Sequence, residues 1–151
     1  MKADDHFHLG LVTTDMAATV AALSAALGYE WGDQLGNIVQ VTGPSGVDDV
    51  ELACVFSITE PRLEVVRAVP GTLWEPVAGG GVHHLGYWSD DVTADIAELV
   101  GHGWQVEATR EMPDGALFFA FLQKPGGFRI ELVDRRAEPS MRRCWQAPAE
   151  R

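Results

Sequence analysis

From His6 the chain alternates side chains in the two-residue period of a strand, through His6-Phe7-His8-Leu9-Gly10-Leu11-Val12-Thr13. Thr14 or Asp15 can cap a helix in which Met16, Val20, Leu23 and Leu27 recur at helical spacing, with Gly28 as its stop. Three further strands are predicted over 37–42, 49–57 and 62–68. They are separated by the turn-forming Gly43-Pro44-Ser45-Gly46 and Thr59-Glu60-Pro61. The order is strand, helix, then three strands.

The same order then returns. His8-Leu9-Gly10 recurs as His84-Leu85-Gly86, 76 residues later, and that offset also holds for Asp15/Asp91, Met16/Val92, Val20/Ile96 and Leu23/Leu99. The second copy predicts a strand over 83–89 and a helix over 91–102 with the same buried face as the first, stopped at Gly103. Strands over 104–109, 116–123 and 128–134 follow. Leu63-Glu64-Val65-Val66 and Ile130-Glu131-Leu132-Val133 close the two copies, so two histidines and two glutamates occupy matching places. Metal ions are commonly held by such sets. The division is 1–69, a Pro- and Gly-rich linker over 70–81, 82–135, and a tail over 136–151. The tail lacks periodicity and is expected to be extended, with Trp145 tucked against the body.

Strand alternation puts His8 with Gly10 and Val12, His84 with Gly86 and Trp88, Glu64 with Val66, and Glu131 with Arg129 and Val133. The opposite faces are mainly apolar and suit packing against helices. The ligand-bearing faces are too apolar for a solvated surface, and an enclosed cavity with a few converging polar groups fits better. A lone histidine in an apolar strand is ordinarily a hydrogen-bonded core residue, and a lone glutamate sits at a solvated edge. The matched placement of all four is what favours a metal site. His6 is read as surface or supporting, His83 as structural on the face away from His84, and His102 as a partner of its helix C-terminus. Trp88 is expected to wall the cavity, Trp74 to act as a lid or plug, and the Phe118/Ala120 and Phe119/Phe121 faces are not distinguished.

Composition narrows the partners. The 151 residues, 46% hydrophobic and 22% charged, suit one compact domain or two half-domains sharing a core. A net charge of −11 argues against nucleic acid, whose binding depends on Lys and Arg, and is awkward for polyanionic substrates. The Arg135, Arg136, Arg142 and Arg143 cluster reads as a solvated tail. No run reaches membrane-span length and the N-terminus has no apolar signal region, so no membrane partner and a cytoplasmic location are expected. Cys54 and Cys144 read as free thiols.

Four segments in order resemble the vicinal oxygen chelate superfamily, which includes glyoxalase I, methylmalonyl-CoA epimerase, extradiol dioxygenases and bleomycin-resistance-type binding proteins. They are His8-Leu9-Gly10-Leu11 through Asp15, Leu63-Glu64-Val65, Gly81–Gly86 through Asp91, and Lys124–Val133. The resemblance implies an α+β fold of two paired βαβββ modules, forming an open, curved mixed sheet around a central cavity. Modules of this kind pair within one chain or across a homodimer. It also implies one divalent metal held by His8, Glu64, His84 and Glu131. The first helix lacks the family's Phe-Tyr pair, and no glutathione-binding residues stand out. Asp49 is the residue that an epimerase-like relative would place as an additional base in the substrate pocket, beside Val12, Val66 and Trp88.

A two-His, two-Glu set suits Ni, Co, Mn, Fe(II) or Zn and leaves two positions for a substrate with neighbouring oxygens. The expected reaction is isomerisation, epimerisation or lyase chemistry. Glu131 or Glu64 would remove a proton next to a carbonyl while the metal stabilises the enediolate. Two alternatives remain: an Fe(II) dioxygenase on a bulky aromatic or polyketide-like substrate, and a resistance-type protein that binds such a molecule without turnover.

Overall fold

A computed structural model describes residues 1–146. The elements are β1 (His6–Thr13), α1 (Met16–Leu27), β2 (Leu35–Gly43), β3 (Gly46–Phe56), β4 (Leu63–Arg67), β5 (His84–Ser89), α2 (Val92–Gly101), β6 (Gln105–Glu111), β7 (Leu117–Gln123), β8 (Arg129–Asp134) and the short α3 (Glu138–Met141). Asp15 and Asp91 open the two long helices in the same way, each accepting a hydrogen bond from the backbone N–H three residues on, at 2.9 Å. Gly28 closes α1 in the left-handed conformation.

The eight strands form one mixed sheet in the order β1-β4-β3-β2-β6-β7-β8-β5, closed on itself. Within each half the first strand runs parallel to the last, β1 with β4 and β5 with β8. The halves meet along two seams. One joins β1 to β5 antiparallel, with His8 opposite Gly86 and Gly10 opposite His84. The other joins β2 to β6 through the single pair Thr42 and Thr109, which closes the cup that the sequence reading leaves open. Both halves belong to this one chain.

Alternation sorts the side chains. Val12, Val39, Val41, Val50, Phe56, Val66, Phe119, Phe121 and Val133 fill the interior with Trp74, Trp88 and Trp145. Ala120, Leu122, Ile130 and Leu132 face outward under α2, with Val92. Phe119 and Phe121 are therefore the inward set of their strand. Two expectations fail. No α1 residue is buried and Leu27 is 66% exposed, so the two helices do not bury equivalent faces. The tail is not extended: it continues as a 3-10 turn (Arg135–Ala137), α3, and a second 3-10 turn (Arg142–Trp145) that buries Trp145. Arg62 covers that indole at 4.5 Å. Cys54 and Cys144 are free. Among the described residues, no helix is long and apolar enough to cross a membrane.

Candidate metal centre

His8 and His84 lie side by side because their strands do, and two glycines make this possible. A β-carbon on Gly10 would overlap the imidazole of His84, and one on Gly86 would overlap that of His8. Each repeat thus supplies a histidine and the bare backbone over which the other repeat's ring lies. Both rings are 1% exposed, with their Nε2 atoms 3.0 Å apart. Glu64 and Glu131 reach them from β4 and β8. One Glu64 oxygen stands 3.3 Å from His8 Nε2 and 3.1 Å from His84 Nε2. The corresponding Glu131 oxygen stands at 3.3 and 3.6 Å.

The four ligand atoms all lie within 4.8 Å of one another. Ligands about 2.0–2.2 Å from one ion, at right angles about it, sit about 3 Å apart. The donor set therefore fits a divalent cation at its centre, through two imidazole nitrogens and two carboxylates. In the protein's own charge balance, burial opposes a charge on His8, but hydrogen bonds to Glu131 and Glu64 outweigh it and raise its pKa to about 9. Burial likewise opposes a charge on Glu64, yet its contacts with His8 and His84 hold its carboxyl well below the usual range.

The two rings are fixed differently. His8 Nδ1 is buried without a hydrogen-bond partner, and its ring is held by packing against Phe7 and Phe56 and by the backbone of Gly86. His84 Nδ1 lies 2.9 Å from Nδ1 of His83, whose Nε2 lies 2.7 Å from the carbonyl of Leu73 in the linker. A lone pair on His84 Nε2 requires its Nδ1–H to donate to His83, which then carries its own proton on Nε2 and donates to Leu73. Were Arg129, whose Nη1 is also 2.7 Å away, to donate to that His83 Nε2 instead, the chain of protons would reverse and protonate His84 Nε2. Burial, then the neighbouring His84, lowers the His83 pKa to about 4, so His83 is neutral and able to accept. Face alternation misses this role because β5 begins at His84, and His83 lies outside the strand.

Glu64 and Glu131 line a cavity of about 310 Å³ walled mainly by apolar side chains, among them Leu52, Val66, Trp74, Phe119, Phe121 and Val133. Trp74 is buried edge-on to Phe121 and forms part of that wall. Cys54 also lines the cavity, and burial together with Glu64 raises its thiol pKa well above the ordinary value, which favours the protonated thiol.

Three pocket expectations need correction. Asp49 is exposed and lines a separate groove with Val41 and Pro70. On β3 the even positions Leu52, Cys54 and Phe56 face the cavity, which puts Asp49 on the odd face. Trp88 stacks on Phe7 at 3.8 Å and lines a charged recess with Arg62 and Trp145, not the cavity. Phe7 is the extra residue of a bulge between His6 and His8, and this turns its ring onto Trp88. Val12 is core, paired with Val66, and only Val66 reaches the cavity.

Residues 7–121 match the profile of the Glyoxalase/Bleomycin resistance protein/Dioxygenase superfamily. The chain belongs to that superfamily. Among relatives of the superfamily chain is the uncharacterized protein YwbC of Bacillus subtilis strain 168, 28% identical over 130 residues, covering 85% of this chain and 95% of that one. The Streptomyces coelicolor methylmalonyl-CoA epimerase, solved in complex with 2-nitronate-propionyl-CoA, shares the fold with a TM-score of 0.59. It is 23% identical, over 86% of this chain and 96% of that one. The 4-hydroxymandelate synthase of the same organism superposes with a TM-score of 0.55 at 20% identity, over 86% of this chain and 38% of that one.

Proposed function

We propose that this superfamily member is a metal-dependent enzyme that moves a proton next to a carbonyl, in an isomerisation, epimerisation or lyase reaction. The observation that carries the reading is the convergence of His8, Glu64, His84 and Glu131 within 4.8 Å at the wall of an apolar cavity. These four would hold one divalent ion, Ni, Co, Mn, Fe(II) or Zn. When bound, such an ion supplies Lewis acidity at a substrate oxygen, which makes the neighbouring carbon acidic.

The protein's own groups do the rest. His83 orients His84 with its Nε2 lone pair toward the cluster. Trp74, Phe119 and Phe121 give the cavity an apolar wall, a low-dielectric setting that strengthens the charge interactions beside it. Glu64 or Glu131, both lining the cavity, would be the base that takes the proton. Returning a proton to the same carbon from the other face gives epimerisation, the activity named for a protein of the same fold. Returning it to the neighbouring carbon gives isomerisation.

A second reading has its own support. Two histidines with one carboxylate are a sufficient set for Fe(II) oxygen chemistry, and the cluster contains that set. Metal analysis and thermal melting test both readings. Protein purified without added ions is expected to retain or take up one equivalent of a divalent ion. Its melting temperature should rise with at least one of Ni, Co, Mn, Fe(II) or Zn, and H84A should abolish that rise. No uptake and no rise with any of the five ions would refute the enzyme reading in favour of metal-free ligand binding. Oxygen consumption by the Fe(II)-loaded protein would move the assignment to the oxygenase.

A further inference from the structure

We propose that Arg110 is the anchor for a carboxylate on the substrate. The cavity would then take a small apolar acid whose carboxylate lies at Arg110 and whose chelating oxygens lie at the His/Glu cluster. The proposal rests on the metal-enzyme reading for that second end and adds the substrate class to it.

Acids outnumber bases by 22 to 11, so an arginine in this chain is expected to find a carboxylate. Arg62, Arg67, Arg129, Arg135, Arg136 and Arg142 each lie within ion-pair distance of one. Arg110 has neither a carboxylate within 4 Å nor a side-chain hydrogen bond among the described residues, yet it is half-buried and lines the cavity that holds Glu64 and Glu131. Among the described lining residues it is the only Lys or Arg. Its guanidinium lies over the Phe118 ring at 4.9 Å, which fixes the plane while leaving the N–H edges unengaged. A planar fork of donors with no internal partner matches a carboxylate in a two-point contact. Asn37 also lines the cavity, farther along the neighbouring strand, and adds an amide that can hydrogen-bond.

Strand register fixes where this anchor stands. Arg110 pairs with Phe119, which pairs with Val133, whereas Glu131 pairs with Phe121. Arg110 is therefore two strands across and two residues along from Glu131. At about 4.8 Å per strand and about 3.4 Å per residue their Cα atoms are about 12 Å apart, and both side chains shorten the gap. A molecule with one ring or a short chain spans it. The cavity of about 310 Å³ lies at the small end for ligand sites, which suits an enclosed acid better than the whole of a coenzyme A ester.

Calorimetric titration with 3-phenylpropanoate, its uncharged amide and coenzyme A tests the assignment, on metal-loaded and on EDTA-treated protein. Wild type is expected to favour the carboxylate over the amide by about tenfold or more. R110Q should bring the two within about twofold, and R110K should recover part of the preference. R110L serves in the same role if R110Q does not fold, since no ion pair is lost in either. An unchanged preference in the variants, no binding of the carboxylate to wild type, or tighter binding of coenzyme A than of the acid that R110Q abolishes would each overturn the proposal. Metal uptake, measured on the same samples, tests the cluster separately: the carboxylate preference in EDTA-treated protein survives a failure of the metal reading.

Discussion

Gly86 has no side chain because the imidazole of His8 occupies that space, and Gly10 stands in the same relation to His84. Replacing Gly86 with Ala must therefore displace the His8 ring from the proposed metal cluster and not merely crowd the core. Overpacking of this kind costs about 1–3 kcal/mol, and at this position the displaced atoms are those of a proposed metal ligand. Gly86→Ala is expected to fold while losing the metal-induced rise in melting temperature. Gly101→Ala, where an added methyl meets nothing within 4 Å, should keep it. A metal response in Gly86→Ala equal to wild type would show that the rings tolerate displacement. The repeated His-Leu-Gly is plain in the sequence, but the purpose of its glycine is not. It depends on β1 and β5 running antiparallel side by side, and a linear pattern does not contain that pairing. His83 and Arg110 were illegible for related reasons: one lies just outside a strand, and the other is marked only by the partners it lacks.

Helix ends were readable and helix burial was not. Asp15 and Asp91 cap as their positions predict, since a cap depends on neighbours three residues away. Periodicity in Met16, Val20, Leu23 and Leu27 identifies a stripe, but how far the stripe is covered depends on the sheet beneath. Under α2, Ile96, Leu99 and Trp104 pack against a continuous cluster around Leu132. α1, rich in alanine, meets β4 more lightly and leaves its last leucine in solvent. Leu27→Ala is accordingly expected to change stability by less than about 0.5 kcal/mol, whereas Leu132→Ala, fully buried, should cost about 2–5 kcal/mol in denaturant unfolding. Similar losses from both would mean that α1 is packed as tightly as its counterpart. The succession of strands and helices along the chain followed from the repeat; the closure of the ring through Thr42 and Thr109 is a long-range outcome that no local signal announces.

Across the whole molecule the buried histidines set the response to pH. His8, with a folded pKa of about 9 against an ordinary 6.5, stabilises the metal-free chain fully below pH 6.5, and that stabilisation is lost as pH rises toward 9. His83, lowered to about 4, acts oppositely: below pH 6.5 the unfolded chain takes up a proton that the folded one refuses, and stability falls. The depressed carboxyl of Glu64 adds to the acid-side loss below its ordinary pKa of 4.5. Melting of EDTA-treated protein is expected to peak near pH 6.5, with the alkaline decline flattened in His8→Gln. Metal-loaded protein should not share that decline, because coordination requires neutral imidazoles. An alkaline limb unchanged in His8→Gln would assign it to other groups.

The two seams of the ring are unequal. Along one, β1 and β5 are stitched by four residue pairs at the level of the ligands; along the other, one pair joins β2 to β6, next to Arg110. The molecule is built like a book, bound along the spine where the two histidines and two glutamates converge and lightly clasped at the fore-edge. Parting the ring at that edge would break few backbone hydrogen bonds, while the four converging side chains on the bound side would keep their spacing.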